Sequence, residues 1–199
     1  MKRILTGVVA ASLMLVGIAG PATARAPQAA PAPASPSIAE IAIGGGYDEL
    51  VSALLYVDEK LDAGLVDLFL NGTDQYTVFA PTDAAFEELY GLLSVVLGTP
   101  IDSIDDLPAP VVLDVLQYHV VEGRRAANSV VPPRGERTIT PLLGETFDVR
   151  SNGTIEDGLT GLRDDARIVA PNNSASNGIV HVVDQVLVPP SVVAAVSGS

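Results

Sequence analysis

The feature that most constrains the fold of this chain is a pair of segments, Tyr76–Leu89 (YTVFAPTDAAFEEL) and Asn177–Pro190 (NGIVHVVDQVLVPP). Each segment contains an apolar run with the composition of a buried strand, next to a short run of Thr, Asp, Asn or His. About ninety residues separate the two segments. The fold must therefore accommodate two buried strands that lie far apart in the sequence, each next to a short run of polar residues.

In the first segment a predicted strand, Tyr76–Ala80, has to turn abruptly into a helix. Pro81 ends the sheet ladder, because proline has no backbone N–H to donate. Thr82 or Asp83 offers a side-chain oxygen to the free N–H groups at the start of the helix. Phe86 follows about one helical turn later, where its ring can enter the core.

In the second segment the pair Asn177 and Gly178 is a turn signal in front of a long apolar strand. Asp184 lies three residues after His181. Because successive strand residues point to opposite faces of a sheet, these two side chains are predicted on opposite faces and are not expected to pair.

Histidine is scarce, since the chain contains only His119 and His181. Each lies among valines, and a histidine in that setting is typically a hydrogen-bonded core residue rather than a catalytic group or a metal ligand. One hypothesis is that His119 or His181 bonds across to Thr82 or Asp83 and so ties the start of the helix to the sheet.

The remaining pattern places helices before strands. Ser37 and Glu40 fit a capping box at the start of the first helix. The predicted helices are a short one that Gly44–Gly46 ends, 47–70, 84–97 and 110–117. The predicted strands beyond residue 122 are 138–143, 146–150, 167–170 and 179–188. This order indicates an α+β domain with its helices gathered to one side of the sheets.

The ends of the chain carry different signals. Residues 1–24 resemble a secretory signal peptide, with a retained membrane anchor as the alternative. Residues 25–37 are a predicted Pro/Ala-rich linker, residues 38–190 the folded domain and residues 191–199 a C-terminal tail. The predicted location is therefore secreted, extracellular or periplasmic, with no transmembrane segment after signal cleavage.

The charge of the chain argues against nucleic acid as a partner. The formal net charge is −13 at pH 7, and residues 38–122 hold sixteen acidic residues and one basic residue. Nucleic-acid binding depends on basic side chains that neutralise phosphates, so this composition has the wrong sign. The chain has no cysteine, and its domain must therefore be stabilised by its core without disulfides.

The sequence offers little for catalysis or for a cofactor. It contains no G-x-S-x-G, H-E-x-x-H or P-loop motif. Residues 148–165 are rich in Asp, Asn, Gly and Glu, but their spacing does not match a calcium-binding loop. We therefore predict a non-enzymatic protein without a cofactor or a metal.

Both segments, together with Leu116–Val121 (LQYHVV) between them, closely resemble the three signature stretches of the fasciclin domain family. The resemblance covers residues 38–190, and it implies the fold of that family, a wedge of two β-sheets flanked by a layer of α-helices. Residues 56–61 look like extra length relative to a minimal member, which is expected to extend a helix or add a turn. The residues that carry the resemblance, here called the signature residues, are Thr77, Phe79, Pro81, Thr82, Asp83, Phe86, Tyr118, His119, Asn177, Gly178, His181 and Asp184.

Members of this family are mostly extracellular and associated with adhesion, so the resemblance implies an exported interaction module that binds an extracellular protein or polysaccharide. In some relatives the Tyr-His segment is implicated in cell binding, which makes Tyr118 and His119 candidate partner contacts. The alternative is a carrier of an apolar small molecule such as a carotenoid or a lipid. Some proteins with this domain bind carotenoids, and a helix layer over a β-wedge can leave an apolar cleft.

Overall fold

A computed structural model describes residues 35–161 and 163–197 of the chain. Within these residues the helices are α1 (Ile38–Gly45), α2 (Asp48–Leu61), α3 (Leu65–Asn71), α4 (Asp83–Leu97), α5 (Ala109–Tyr118), α6 (Ala127–Val130) and α7 (Pro190–Ser197). The strands are β1 (Tyr76–Pro81), β2 (Val120–Glu122), β3 (Glu136–Ile139), β4 (Phe147–Arg150), β5 (Thr154–Glu156), β6 (Ala166–Ala175) and β7 (Gly178–Val183). A short 3-10 helix, Ile104–Asp106, precedes α5.

The described strands are hydrogen-bonded side by side in the order β2-β1-β7-β6-β5-β4-β3. β1 runs parallel to β7, and the other neighbouring pairs are antiparallel. The long strand β6 pairs with β5 near Ala166 and with β7 along the rest of its length, with register shifts between Ile168 and Asn173. Such shifts bend a strand, so β6 belongs to two sheets that it joins. The α+β prediction is confirmed.

Strand β1 separates two hydrophobic cores. Val78 and Ala80 point into the first core, to which α1–α5 and α7 all contribute side chains. Phe79 points the opposite way into the second core, which the strands β3–β7 enclose together with residues such as Tyr118 and Val130. Side chains of β1 therefore alternate between the two cores, and all the described α-helices except the short α6 supply residues to the first core.

The predicted helix starts are confirmed at α1 and α4. At α1 the Ser37 hydroxyl accepts from the Glu40 N–H at 3.2 Å, and the Glu40 carboxylate accepts from the Ser37 N–H at 2.7 Å. This is a complete capping box. Helix α4 ends where predicted, because Gly98 adopts the left-handed conformation with φ 64°.

The prediction of one helix over 47–70 is wrong, because the structure divides that region into α2 and α3. Asp62 and Gly64 have left-handed φ angles of 53° and 69° between the two helices. The Asp58 carboxylate then accepts from the N–H groups of Leu65 and Val66, both at 2.8 Å, and so caps the start of α3. Residues 56–61, the predicted extra length, form the last turns of α2.

The predicted C-terminal tail is also wrong for most of its length, because residues 190–197 form α7. This helix packs against α4 and α5, and Val192 belongs to the first core. The predicted signal peptide and residues 25–34 of the predicted linker lie outside the described residues. In the described part of the chain, no helix combines the length and the apolar character needed to cross a membrane.

Candidate functional site

The polar signature residues of the first segment cap helices. The Thr82 hydroxyl accepts from the Ala85 N–H at 3.3 Å at the start of α4. The Asp83 carboxylate accepts from the Glu49 N–H at 3.0 Å, at the first turn of α2. Asp83 therefore connects two helices that are far apart in the sequence.

Thr77 ties β1 to the loop that follows β2. Its buried hydroxyl donates to the Gly123 carbonyl at 2.7 Å and accepts from the Arg125 N–H at 2.8 Å. Because both capacities of the hydroxyl are used, the loop cannot move away without leaving buried polar groups unpaired.

Asn177 and Gly178 join the start of β7 to the helix layer. The Asn177 side chain accepts from the Ile38 N–H and donates to the Phe69 carbonyl, both at 2.9 Å. A Cβ atom on Gly178 would lie 2.1 Å from the Tyr76 carbonyl oxygen, so β1 and β7 can approach this closely only with glycine there.

The aromatic signature residues Phe79 and Tyr118 form the centre of the second core with Phe147. Both rings meet Phe147 edge to face, with centroids 5.2 Å and 5.5 Å away. The Tyr118 hydroxyl donates to the Thr146 carbonyl at 2.9 Å. Burial raises the pKa of Tyr118, so the phenol stays neutral.

His119 connects α5 to the chain after β7. Its Nδ1 lies 2.6 Å from the Val115 carbonyl, and its Nε2 accepts from the Leu187 N–H at 2.9 Å. Nδ1 must carry the proton, because a carbonyl can only accept. Burial lowers the pKa of His119 to about 4, so the ring is neutral at pH 7.

His181 has a similar structural role on β7, which lies between β1 and β6 in the sheet. Its Nε2 donates to the Arg125 carbonyl at 2.9 Å, and its Nδ1 accepts from the Asn172 N–H at 3.2 Å. Burial lowers the pKa of His181 as well. Asp184 accepts instead from the Arg167 N–H at 2.7 Å.

The hypothesis that a histidine bonds to Thr82 or Asp83 is therefore wrong. Both rings are saturated by backbone groups. Val115 is a local partner four residues before His119, whereas Leu187 and Arg125 come from segments that are distant in the sequence. The candidate partner contacts are also inaccessible, because Tyr118 is 0% and His119 2% exposed. The structure gives no support to a direct partner contact through these two side chains.

A second set of residues, largely outside the signature, surrounds a cavity of about 260 Å³ between α4, α5 and α7. Twenty residues line it, and all of them except His119 are apolar. Pro81 and Phe86 of the signature also reach its wall. Val115 of α5 and Val186, which follows β7, are also part of the wall.

A second cavity of about 190 Å³ adjoins the first, and its lining is entirely apolar. The two cavities share Leu89, Leu93, Val188, Val192 and Val196. Helix α7 therefore contributes to both walls, and we call the two cavities together the apolar cleft. The end of α4 borders it with exposed apolar side chains, since Val95 is 82% and Val96 52% exposed.

A third cavity of about 290 Å³ shares Leu89 and Leu92 with the apolar cleft. Its other lining residues are polar, and we call it the polar cavity: Glu88, Arg163, Asp164 and Gln185. Sequence reasoning missed both sites. The cleft residues are ordinary core aliphatics in the sequence, and the wall that α7 supplies falls in the segment predicted as a tail.

Among residues 35–161 and 163–197, no group of three or more His, Cys, Asp or Glu side chains could hold a metal ion. Both histidines use their two ring nitrogens for structural hydrogen bonds. The size and the apolar lining of the cleft would allow it to enclose an apolar molecule.

The described residues thus form an α+β domain with a hydrogen-bonded framework and an apolar cleft. Comparison with known proteins identifies its family, because the fasciclin domain model matches residues 49–189. The chain belongs to the fasciclin domain family.

Similar proteins come from cyanobacteria and mycobacteria. Protein sll1483 of Synechocystis sp. is 32% identical over 159 residues, which cover 77% of this chain and 74% of that protein. Immunogenic protein MPB70 of Mycobacterium bovis is 34% identical over 130 residues, or 64% of this chain and 55% of that protein. Cell surface glycolipoprotein MPB83 of M. bovis is 34% identical over 137 residues, or 65% and 50% of the two chains. The chain thus spans about half the length of these mycobacterial relatives.

Among solved structures, a domain pair from the insect cell adhesion molecule Fasciclin I aligns with a TM-score of 0.46 and 16% identity. The alignment covers 70% of this chain and 45% of that one.

Proposed function

We propose that this protein is an exported fasciclin-type binding module that holds an apolar small molecule in the apolar cleft. The observation that carries the proposal is the lining of the first cavity, which is apolar at nineteen of its twenty residues. Burying apolar ligand surface there contributes roughly 25 cal/mol per Å². Few polar groups face the ligand, so binding relies on shape and apolar contact.

The ligand class that suits this lining is a lipid or another hydrocarbon-rich molecule. The wall is built mainly from Leu, Val and Ile side chains, and Phe86 is its one aromatic residue. A flexible chain or an alicyclic ring packs well against such a surface, whereas a stacked aromatic ligand has few rings to meet. A carotenoid also belongs to the hydrocarbon-rich class.

The experiment that tests this proposal begins with the mature protein purified from its native source. Its absorbance spectrum and mass spectrometry of an organic extract are expected to show a lipid or a pigment in stoichiometric amount. The recombinant protein is expected to bind the neutral apolar dye N-phenyl-1-naphthylamine with a rise in fluorescence.

A matched pair of variants locates the binding site. Val115→Phe adds a ring to a half-buried residue of the cleft wall, and the dye affinity is expected to fall at least tenfold. Val169→Phe makes the same change at a residue of β6 that is exposed and lines none of the three cavities, and the affinity is expected to stay unchanged. Equal affinities in both variants would contradict the proposed site.

A second candidate function is interaction with an extracellular protein or polysaccharide, as in adhesion. Membership of the fasciclin family supports it, and so does a relative described as a cell surface glycolipoprotein. The exposed apolar run Val95–Leu97 at the end of α4 is the surface that favours such a role. Binding of the protein to intact cells of its source should fall when Val95 is changed to Asp, with Val169→Asp as the control. Equal binding of both variants would remove this surface from the role.

A further inference from the structure

Two side chains that line the polar cavity at the edge of the apolar cleft, Arg163 and Gln185, each have a buried polar atom without a hydrogen bond. We infer that the ligand is an amphiphile with a long apolar body in the cleft and a neutral hydroxyl group in the polar cavity. This inference rests on the proposed function, and it adds the chemical identity of the ligand's polar end.

The first observation concerns Arg163 Nε and Gln185 Oε1. Both atoms are buried, neither makes a hydrogen bond, and both side chains line the polar cavity. Buried polar atoms without a partner are rare in folded proteins, because desolvation without a hydrogen bond is costly. Arg163 Nε can only donate and Gln185 Oε1 can only accept, and a hydroxyl group is the neutral group that offers both an acceptor and a donor.

The second observation concerns the charge around these atoms. The charge of Arg163 is already compensated, because its Nη2 donates to the Asp157 carboxylate at 3.0 Å. Two further acids, Glu88 and Asp164, line the same cavity. An anionic head group would therefore meet excess negative charge, and an ammonium group could not accept from Arg163 Nε. A neutral hydroxyl group carries no negative charge and can accept a hydrogen bond from Arg163 Nε.

The backbone places the two sites side by side. Gln185 lines the polar cavity, and the next residue, Val186, lines the apolar cleft. Arg163 Nη2 also donates to the Val186 carbonyl at 2.5 Å, which holds the guanidinium at this border. A molecule that fills the cleft as far as Leu89 and Leu92 therefore reaches the polar cavity with its end.

The test is displacement of N-phenyl-1-naphthylamine by three ligands of equal chain length at pH 7.5. They are 1-dodecanol, its methyl ether, which accepts but cannot donate, and dodecanoate, which is anionic. Wild-type protein is expected to bind the alcohol about tenfold more tightly than the ether, and dodecanoate most weakly. Equal affinity for alcohol and ether, or preference for dodecanoate, would overturn the inference.

Gln185→Leu removes the acceptor in the polar cavity. The preference for alcohol over ether is expected to fall below twofold in this variant, and the preference is measured as a ratio so that a change in overall affinity does not affect it. Gln117→Leu is the matched control, because Gln117 lies on α5 but lines none of the three cavities, and it is expected to keep the full preference. An alcohol preference that persists in Gln185→Leu would assign the selectivity to another group.

The ligand series on wild-type protein decides the inference even if a variant fails to fold. It also separates the two claims. Binding of the dye with no alcohol preference would refute the hydroxyl site and leave the cleft intact, whereas failure to bind the dye and all three ligands would refute the proposed function itself.

Discussion

The signature residues and the apolar cleft are held together by different forces. The signature residues make directional contacts, such as the two ring hydrogen bonds of His119 and the edge-to-face packing of Phe79 on Phe147. The cleft is enclosed by aliphatic side chains that touch without any fixed geometry. A directional contact requires one residue type at one position, whereas aliphatic packing tolerates changes that keep the volume.

This difference assigns separate tasks to the two regions. Most of the signature residues are buried, and their hydrogen bonds and ring contacts join elements of the fold. The cleft lies mainly outside the signature, in α4, α5 and α7. Under the proposed function, ligand specificity can change within the same fold, because most cleft residues are free of the directional requirements that constrain the signature.

The largest expected effect is at Gly178. Gly178→Ala would place a Cβ atom 2.1 Å from the Tyr76 carbonyl oxygen, so β1 and β7 must separate. We expect a loss of at least about 3 kcal/mol in the free energy of unfolding, measured by urea denaturation. Gly91→Ala is the control, since Gly91 lies inside α4 with open space around it. It is expected to stabilise the protein by about 0.5–1 kcal/mol.

The next effect is the pH dependence that His119 confers. The pKa is about 4 in the folded protein against 6.5 in the unfolded chain, so the unfolded chain binds the proton first as the pH falls. The contribution of the neutral ring is therefore complete above pH 6.5 and is lost as the pH falls towards 4, by about 3 kcal/mol.

Urea denaturation between pH 4 and 6.5 checks this prediction. His119→Gln should show a flatter dependence than wild-type protein, because its side chain does not titrate. A smaller slope should remain, since burial also lowers the pKa of His181. Identical slopes in the two proteins would show that His119 is not the group responsible.

A moderate effect is expected at Thr82. Thr82→Ala removes the hydroxyl that caps α4, and the free energy of unfolding should fall by about 1 kcal/mol. Thr73→Ala makes the same change at an exposed residue between α3 and β1 and should leave stability unchanged. A loss of equal size in both variants would show that the cap contributes nothing of its own.

The smallest effect is expected outside both regions, at the exposed ion pair between Lys60 and Glu59. Solvent screens such a pair, and the side chains lose rotamer freedom when they form it. Lys60→Ala should therefore leave the thermal midpoint unchanged. A clear drop in the midpoint would mean that the end of α2 has a structural role beyond this pair.

Features of the fold could be predicted from the sequence where they depend on contacts between residues that are close in the sequence. The capping box of Ser37 and Glu40 and the cap at Thr82 each act within three residues, and both are present. The break at Asp62 was not predictable from helical spacing, because apolar residues continue at the same period across it. Local propensity indicates where a helix starts better than where tertiary contacts interrupt it.

The distant partners of the histidines and the residues of the cleft could not be predicted, because they depend on contacts across the fold. The Leu187 N–H that bonds His119 lies 68 residues away in the sequence. The valines of α7 had no recognisable role as a tail, and they acquire one only when α7 packs on α4 and α5. An apolar residue in a sequence is equally consistent with a filled core and with the wall of a cavity.

The central claim is that the signature residues stabilise the fold and that the apolar cleft binds the ligand. The most direct test of this claim measures two properties on two variants. Stability by urea denaturation and affinity for N-phenyl-1-naphthylamine should be determined for Thr82→Ala and Val115→Phe. The account predicts that Thr82→Ala loses stability and keeps the dye affinity, whereas Val115→Phe keeps stability and loses the affinity. If both properties fall together in each variant, or if Val115→Phe still binds the dye as wild-type protein does, this claim is contradicted.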